Sequence, residues 1–153
     1  MERVAEWAGV SKALPYAHFD NSDDMLVALY QRVVGTLGDR IITALESAAT
    51  DDDLVAVLVE AYLDTVVDLG PVLGAVTAPG SLTVELADDG RRVGPQFAAR
   101  VLRDHFGVPA DRARAAAPVI LAALTGAVRA WADGEADRDA ATEMSTAVLR
   151  ALI

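Results

Sequence analysis

The stretch VAEWAGVSKALPYAHF (residues 4–19) decides how the start of the chain folds. It predicts two short helices around a turn at Gly9, with Ser11 placed to cap the second helix. Glycine readily takes the left-handed conformation that such a turn needs, and Val10 is placed to fill the angle between the helices. A polar turn at residues 20–22 (DNS) can cap a third, longer helix. This order and spacing predict a helix-turn-helix.

The second helix of this motif has two different sides. Pro15 and Phe19 are four residues apart and therefore share the side that faces the helical core. The opposite side, which we expect to be exposed, carries Lys12, Ala13, Tyr16 and Ala17.

The remainder of the chain is helical by its hydrophobic periodicity, and no stretch shows sustained alternation of apolar and polar residues. The acids at residues 51–53 are expected to open a helix, because negative charges stabilise a first turn, and Gly70-Pro71 to end it. Residues 71–95 are rich in glycine and proline and are expected to be the most irregular part of the chain, with short helical pieces and room for a loop or lid. The predicted fold class is all-α, with helices over residues 2–8, 11–19, 54–69, 96–106, 111–132 and 138–152, and with a long helix that follows the turn at residues 20–22 and ends at about residue 47.

The composition excludes several classes of protein. A hydrophobic fraction of 53% is too high for a disordered chain. The absence of cysteine excludes a disulfide scaffold and thiolate zinc sites, and 23 acids against 13 bases exclude a large basic surface for nucleic acid. Two histidines and no G-x-S-x-G motif assemble no catalytic constellation. We therefore expect no enzyme activity, no metal and no cofactor.

The longest apolar run, residues 115–128, is shorter than the roughly 20 residues that a membrane-spanning helix needs. Glu2 and Glu6 lie where a signal peptide would carry basic and then apolar residues. We therefore expect a soluble, cytoplasmic protein that makes no membrane contact.

The same run is apolar on nearly all faces, so one buried face cannot cover it. Packing against the last helix and against a second copy of the chain would cover it. We therefore predict a two-fold homodimer with a four-helix arrangement, in which Ala122, Ala123 and Gly126 are small enough to permit close approach. The predicted interface residues are Leu121, Leu124, Val128, Met144, Val148 and Leu152.

Residues 4–19, and above all the pattern AGVSK followed by YAHF, resemble the second and third helices of the TetR family of transcriptional regulators. Residues 22–30 resemble the start of that family's fourth helix. The resemblance implies a homodimeric DNA-binding regulator, usually a repressor. A small effector would enter the larger helical domain, shift the two DNA-reading heads apart and release the operator DNA. The implied division is a helix-turn-helix head over residues 1–45 and a helical ligand-binding and dimerisation domain over residues 46–153.

By position, the resemblance implies that six residues of the head contact DNA. Lys12 would act as a point charge for phosphate, and hydroxyl and imidazole groups would position the helix on the duplex. Tyr16 and His18 also suit packing within the small head, so that alternative is open for both. The implied DNA contacts are Ser11, Lys12, Ala13, Tyr16, His18 and Ser22.

Members of this family carry a further helix ahead of the motif, whereas Met1 falls inside the second helix. The first 50 residues hold seven acids and four bases, which leaves few cations to neutralise phosphate. We expect a segment before Met1 to supply both the helix and the cations. The alternatives are that the numbered chain is only the ordered part, or that the head is defective. A protein with a defective head would be a helical homodimeric small-molecule-binding module that has lost DNA binding.

The scarcity of buried charge predicts a mostly apolar effector pocket and hence a lipophilic effector. Tyr62, Thr65 and Phe97 are candidate pocket residues, because they are aromatic or polar groups on otherwise apolar helix faces. The same three residues also suit ordinary core packing.

Overall fold

The computed structural model describes residues 2–49, 53–77 and 84–153, and gives the backbone alone for residues 71–77 and 84–92. Within these ranges the chain is built from helices and contains no strand, which confirms the all-α fold class. The helices are α1 (Glu2–Trp7), α2 (Ala13–His18), α3 (Ser22–Ser47), α4 (Leu54–Thr77), α5 (Val84–Phe106), α6 (Ala110–Ala132) and α7 (Arg138–Leu152).

Polar side chains begin the long helices where the sequence predicts. The Asn21 side chain accepts hydrogen bonds from the N–H groups of Asp23 and Asp24, at 2.8 and 2.9 Å, and α3 starts there. The Asp53 carboxylate accepts the N–H group of Ala56 at 3.3 Å in the first turn of α4. That hydrogen bond and the nearby Arg150 guanidinium hold the pKa of the Asp53 carboxyl below its usual value. Both helix starts confirm the prediction, while residues 51 and 52 lie outside the described ranges.

Residues 71–95 are more regular than predicted wherever the structure describes them, because they belong to two long helices and not to short helical pieces. α4 continues past Gly70-Pro71 to Thr77, and α5 already includes residues 84–95. Proline removes one helical hydrogen bond and crowds the preceding turn, but helix propensity is a weak prior that tertiary packing overrides. In α5 the turn that follows Pro95 is anchored in the core by Ala99 and Leu102. Residues 78–83 lie outside the described ranges.

The core is built from the five longest helices, α3 to α7. α4 packs against α3 and α7, while α6 packs against α5 and α7. α3 meets α5 where the Phe97 ring closes over Gly38: a Cβ atom on Gly38 would lie 3.3 Å from Phe97 Cε2. α1 and α2 pack against each other beside the first turn of α3. The largest fully buried side chains of the core are Val59, Leu63, Thr65, Ser145 and Leu149.

Arginines from α3 and α7 pair with acids along one edge of α4. Arg138 of α7 donates to Glu60 and to Asp64, each at 2.6 Å, and Arg40 of α3 donates to Asp68 at 2.6 Å. All these side chains are at least partly exposed, so each pair by itself contributes little to stability. They show that α3 and α7 both lie along the acidic edge of α4.

Ser145→Ala is expected to stabilise the chain by about 1 kcal/mol, because a buried hydroxyl without a partner costs free energy on folding. Ser145 is 1% exposed, and its Oγ atom has no hydrogen-bond partner in the described part of the chain. Thr65→Val is the matched control: its equally buried hydroxyl donates to the Ala61 carbonyl at 2.7 Å, so the same deletion should cost about 1 kcal/mol. Urea denaturation measures both. Equal losses in the two variants would contradict the prediction.

Candidate nucleic-acid interface

The turn between α1 and α2 has the geometry that the sequence predicts. Gly9 lies in the left-handed region with φ 66°, which a side chain would strain. The Gly9 N–H donates to the Glu6 carbonyl at 3.2 Å, and the Val10 N–H donates to the Ala5 carbonyl at 3.0 Å. These bonds close α1 and turn the chain into α2, so the predicted Gly9 turn is confirmed.

The predicted side-chain cap from Ser11 is wrong. Lys12 occupies the N-cap position of α2, and no side-chain hydrogen bond caps this helix. Ser11 contributes its backbone carbonyl instead, which accepts the Leu14 N–H at 3.0 Å. The helix has no side-chain cap because Lys12, at φ −58° and ψ −26°, occupies the cap position and its ammonium cannot accept a hydrogen bond from a first-turn N–H group.

The two sides of α2 differ as predicted. Pro15 is buried and Phe19 partly buried on the inner side. The outer side carries Lys12, Ala13 and Tyr16, all exposed, with Tyr16 at 55%. A cation and a phenolic hydroxyl on one exposed helix face can both reach a phosphate group.

The other three implied DNA contacts lie elsewhere on this surface, and Ser11 is exposed just before α2. Ser22 is exposed at the first position of α3, after the turn. His18 is exposed but lies on the other side of α2, where it lines a shallow apolar groove of about 190 Å³. We call this the head groove; its lining residues are Val4, Ala5, Ala8, Val10, Leu14, Pro15, His18, Phe19 and Met25.

The cation on the outer side of α2 is Lys12, and it already has an anionic partner. The Lys12 ammonium donates to the Glu2 carboxylate at 3.2 Å. Asp20, Asp23 and Asp24 are exposed at the end of α2 and the start of α3. The sequence does not predict the Lys12–Glu2 pair, because the two residues are ten positions apart and no periodic pattern joins them.

A second shallow groove lies between α6 and α7, with a volume of about 440 Å³. It includes Met144 and Val148 of the predicted interface, and Ala123 and Gly126, which were expected to permit close approach. We call it the α6–α7 groove; its lining residues are Ala123, Gly126, Ala127, Ala130, Met144, Ala147 and Val148.

The other predicted interface residues lie outside this groove. Leu124 is buried in the core of its own chain. Leu121 faces α5, with its Cδ1 atom 3.4 Å from the place of a Cβ atom on Gly94. Val128 and Leu152 are partly buried and pack against the core.

The candidate effector residues lie in or beside the core. Tyr62 and Thr65 are buried, and Phe97 is partly buried against α3. Burial raises the pKa of the Tyr62 hydroxyl, and a hydrogen bond with Thr125 partly opposes that shift. Neither the head groove nor the α6–α7 groove is lined by any of these three residues.

α6 is long and apolar enough, by length and composition, to cross a membrane, with a mean hydropathy of 1.5 in its most apolar stretch. A core helix of a soluble protein meets the same test. Only 28% of that stretch is buried within one chain, so much of its apolar surface faces outward.

Similarity to a known protein covers part of the chain. No family model matches it. Over 59 residues it is 34% identical to the HTH-type transcriptional regulator BetI of Rhizobium meliloti (strain 1021). This match covers 39% of the chain and 29% of that regulator. The chain is therefore similar to less than a third of a helix-turn-helix transcriptional regulator.

Proposed function

We propose that this chain is a DNA-binding transcriptional regulator that uses α2 as its recognition helix. The observation that carries the proposal is the helix-turn-helix itself: a left-handed Gly9 joins two short helices, and Lys12, Ala13 and Tyr16 share the exposed side of the second. The 34% identity to an HTH-type transcriptional regulator supports the same function.

A finer proposal follows from the resemblance of residues 4–19 to TetR-type regulators. The chain would be a repressor that works in the cytoplasm and is released from its operator by a small lipophilic effector. Residues 1–45 would form the head and residues 46–153 the effector and dimer domain, with the boundary in the last turn of α3. Tyr62, Thr65 and Phe97 stay the candidate effector contacts.

The proposed homodimer rests on the surface of α6 and α7. Little of the apolar stretch of α6 is buried within one chain, and the α6–α7 groove beside it is lined by small and apolar side chains. The Met144 side chain lies at the edge of this groove and is 44% exposed. A second copy related by a two-fold axis would cover both surfaces with the same residues, as an isologous interface requires.

A second candidate function is a homodimeric small-molecule-binding module that no longer binds DNA. The acidic surroundings of α2 favour it, because phosphate neutralisation supplies most non-specific affinity for DNA. Asp20, Asp23 and Asp24 are exposed around the recognition helix, and Lys12 is paired with Glu2.

Tyr16→Phe is expected to weaken DNA binding about tenfold, because hydrogen bonds to a charged group such as phosphate contribute about 1.5–3 kcal/mol. Gel shifts on the DNA upstream of the protein's own coding sequence, at several salt concentrations, measure this. Tyr30→Phe on α3 removes the same hydroxyl outside the exposed side of α2 and should leave DNA affinity unchanged.

The same gel shifts separate the two candidate functions. They compare the 153-residue chain with a form extended by the codons upstream of Met1. Binding by neither form, at any salt concentration, would contradict the regulator function and favour the small-molecule-binding module. Binding with equal affinity by the wild type and Tyr16→Phe would remove Tyr16 from the interface.

A further inference from the structure

We infer that Glu2 competes with DNA phosphate for Lys12 and thereby holds down the DNA affinity of the head, an inference that rests on the proposed DNA-binding function. Lys12 is the one lysine of the chain and lies at the N-cap of α2, on its exposed side. Its Nζ atom donates to Glu2 Oε2 at 3.2 Å. The turn at Gly9 brings these two residues together, although they are ten positions apart.

The Lys12–Glu2 pair contributes little to the fold. The two side chains are 72% and 63% exposed, and ion pairs with such exposure rarely stabilise a protein measurably. Glu2 can therefore be neutralised without unfolding the head. The pair therefore affects the binding of an anion to α2 more than it affects the stability of the fold.

A phosphate group that approaches Lys12 meets an ammonium that is already neutralised. It must displace the Glu2 carboxylate, which lies 3.2 Å from the Nζ atom, or accept its repulsion. Lys12 then adds no net cation to the interface. Each phosphate that a protein cation neutralises steepens the salt dependence of DNA binding. Competition by Glu2 should therefore make this dependence shallower.

Glu2→Gln keeps the size and polarity of the side chain and removes its charge. It is expected to tighten binding about fivefold at low salt and to steepen the slope of log affinity against log salt by about 0.9, the value for one more phosphate contact. The matched control is Glu6→Gln on the same helix, which removes one exposed carboxylate that is not paired with Lys12 in the described part of the chain. That control should change affinity less than about twofold.

Lys12→Gln tests the same coupling from the other side. In the wild type it should weaken binding by no more than about twofold, because Glu2 already neutralises the lysine. In the Glu2→Gln background it should remove the whole gain, both in affinity and in salt slope. The probes are a labelled duplex of the DNA upstream of the protein's own coding sequence and a scrambled duplex of equal length, with fluorescence anisotropy as the readout.

The possible results distinguish failure of this inference from failure of the proposed DNA-binding function. If no variant binds either duplex at low salt, with or without the codons upstream of Met1, the DNA-binding function and the inference that rests on it are both wrong. If the wild type binds DNA but Glu2→Gln and Glu6→Gln give the same affinity and slope, the inference alone is overturned. A gain with Glu2→Gln that survives Lys12→Gln would also overturn it, because Lys12 would then not be the group for which Glu2 competes.

Discussion

Met144→Glu is expected to turn the proposed dimer into a monomer and to lower DNA affinity about a hundredfold, the order of the gain when two linked sites bind together. Met144 lies at the edge of the α6–α7 groove and is 44% exposed in the single chain. A carboxylate there stays solvated in the monomer, so the fold tolerates it. In a two-fold interface each copy would bury one unpaired charge, which association cannot compensate.

Sedimentation measures the first effect and gel shifts the second. The sedimenting mass should fall from twice 16.1 kDa to 16.1 kDa, while circular dichroism stays unchanged. Val67→Glu is the matched control, because Val67 is 53% exposed on α4 and does not line the α6–α7 groove. A wild type that sediments as a monomer at micromolar concentration, or a Met144→Glu variant that stays dimeric, would refute the interface.

The sequence predicts helix limits best where side chains close the helix ends. Asn21 caps α3 with two hydrogen bonds, and α7 covers residues 138–152, the predicted range. Local capping chemistry and an apolar stripe are sufficient in both cases. The local sequence places Pro71 and Pro95 outside helices, whereas α4 and α5 include them. After Pro95 the helix is held by the burial of Ala99 and Leu102, which no local pattern predicts.

The candidate site also has features that the sequence predicts and features that it does not. The exposure of Lys12 and Tyr16 opposite the inward-facing Pro15 follows from helical spacing and was predictable. The pairing of Lys12 with Glu2 depends on how the turn places two helices and has no periodic signal. The position of His18 could not be predicted either, because its place beside the head groove depends on the packing of α1 against α2.

Phe97→Ala is expected to destabilise the effector-free chain by about 2–3 kcal/mol, less than the 3–5 kcal/mol of a fully buried aromatic side chain. The ring is partly buried, packs against the core, and closes over Gly38 at the contact of α3 with α5. Removing it leaves a gap that two helix backbones cannot close without moving. Urea denaturation without any added ligand measures the loss.

Two further variants separate the packing of the Phe97 ring from its cation–π contact with Arg100. Phe97→Leu keeps most of the volume against Gly38 and should cost about 1 kcal/mol. Arg100→Ala removes the guanidinium that lies 5.6 Å from the ring centroid and should cost at most about 1 kcal/mol, because that cation–π contact is exposed.

If Phe97→Ala leaves the stability of the effector-free chain unchanged, the ring contributes nothing to the contact of α3 with α5, and Phe97 is then better explained as an effector contact. A loss near 3 kcal/mol would instead show that the Phe97 ring stabilises the contact of α3 with α5.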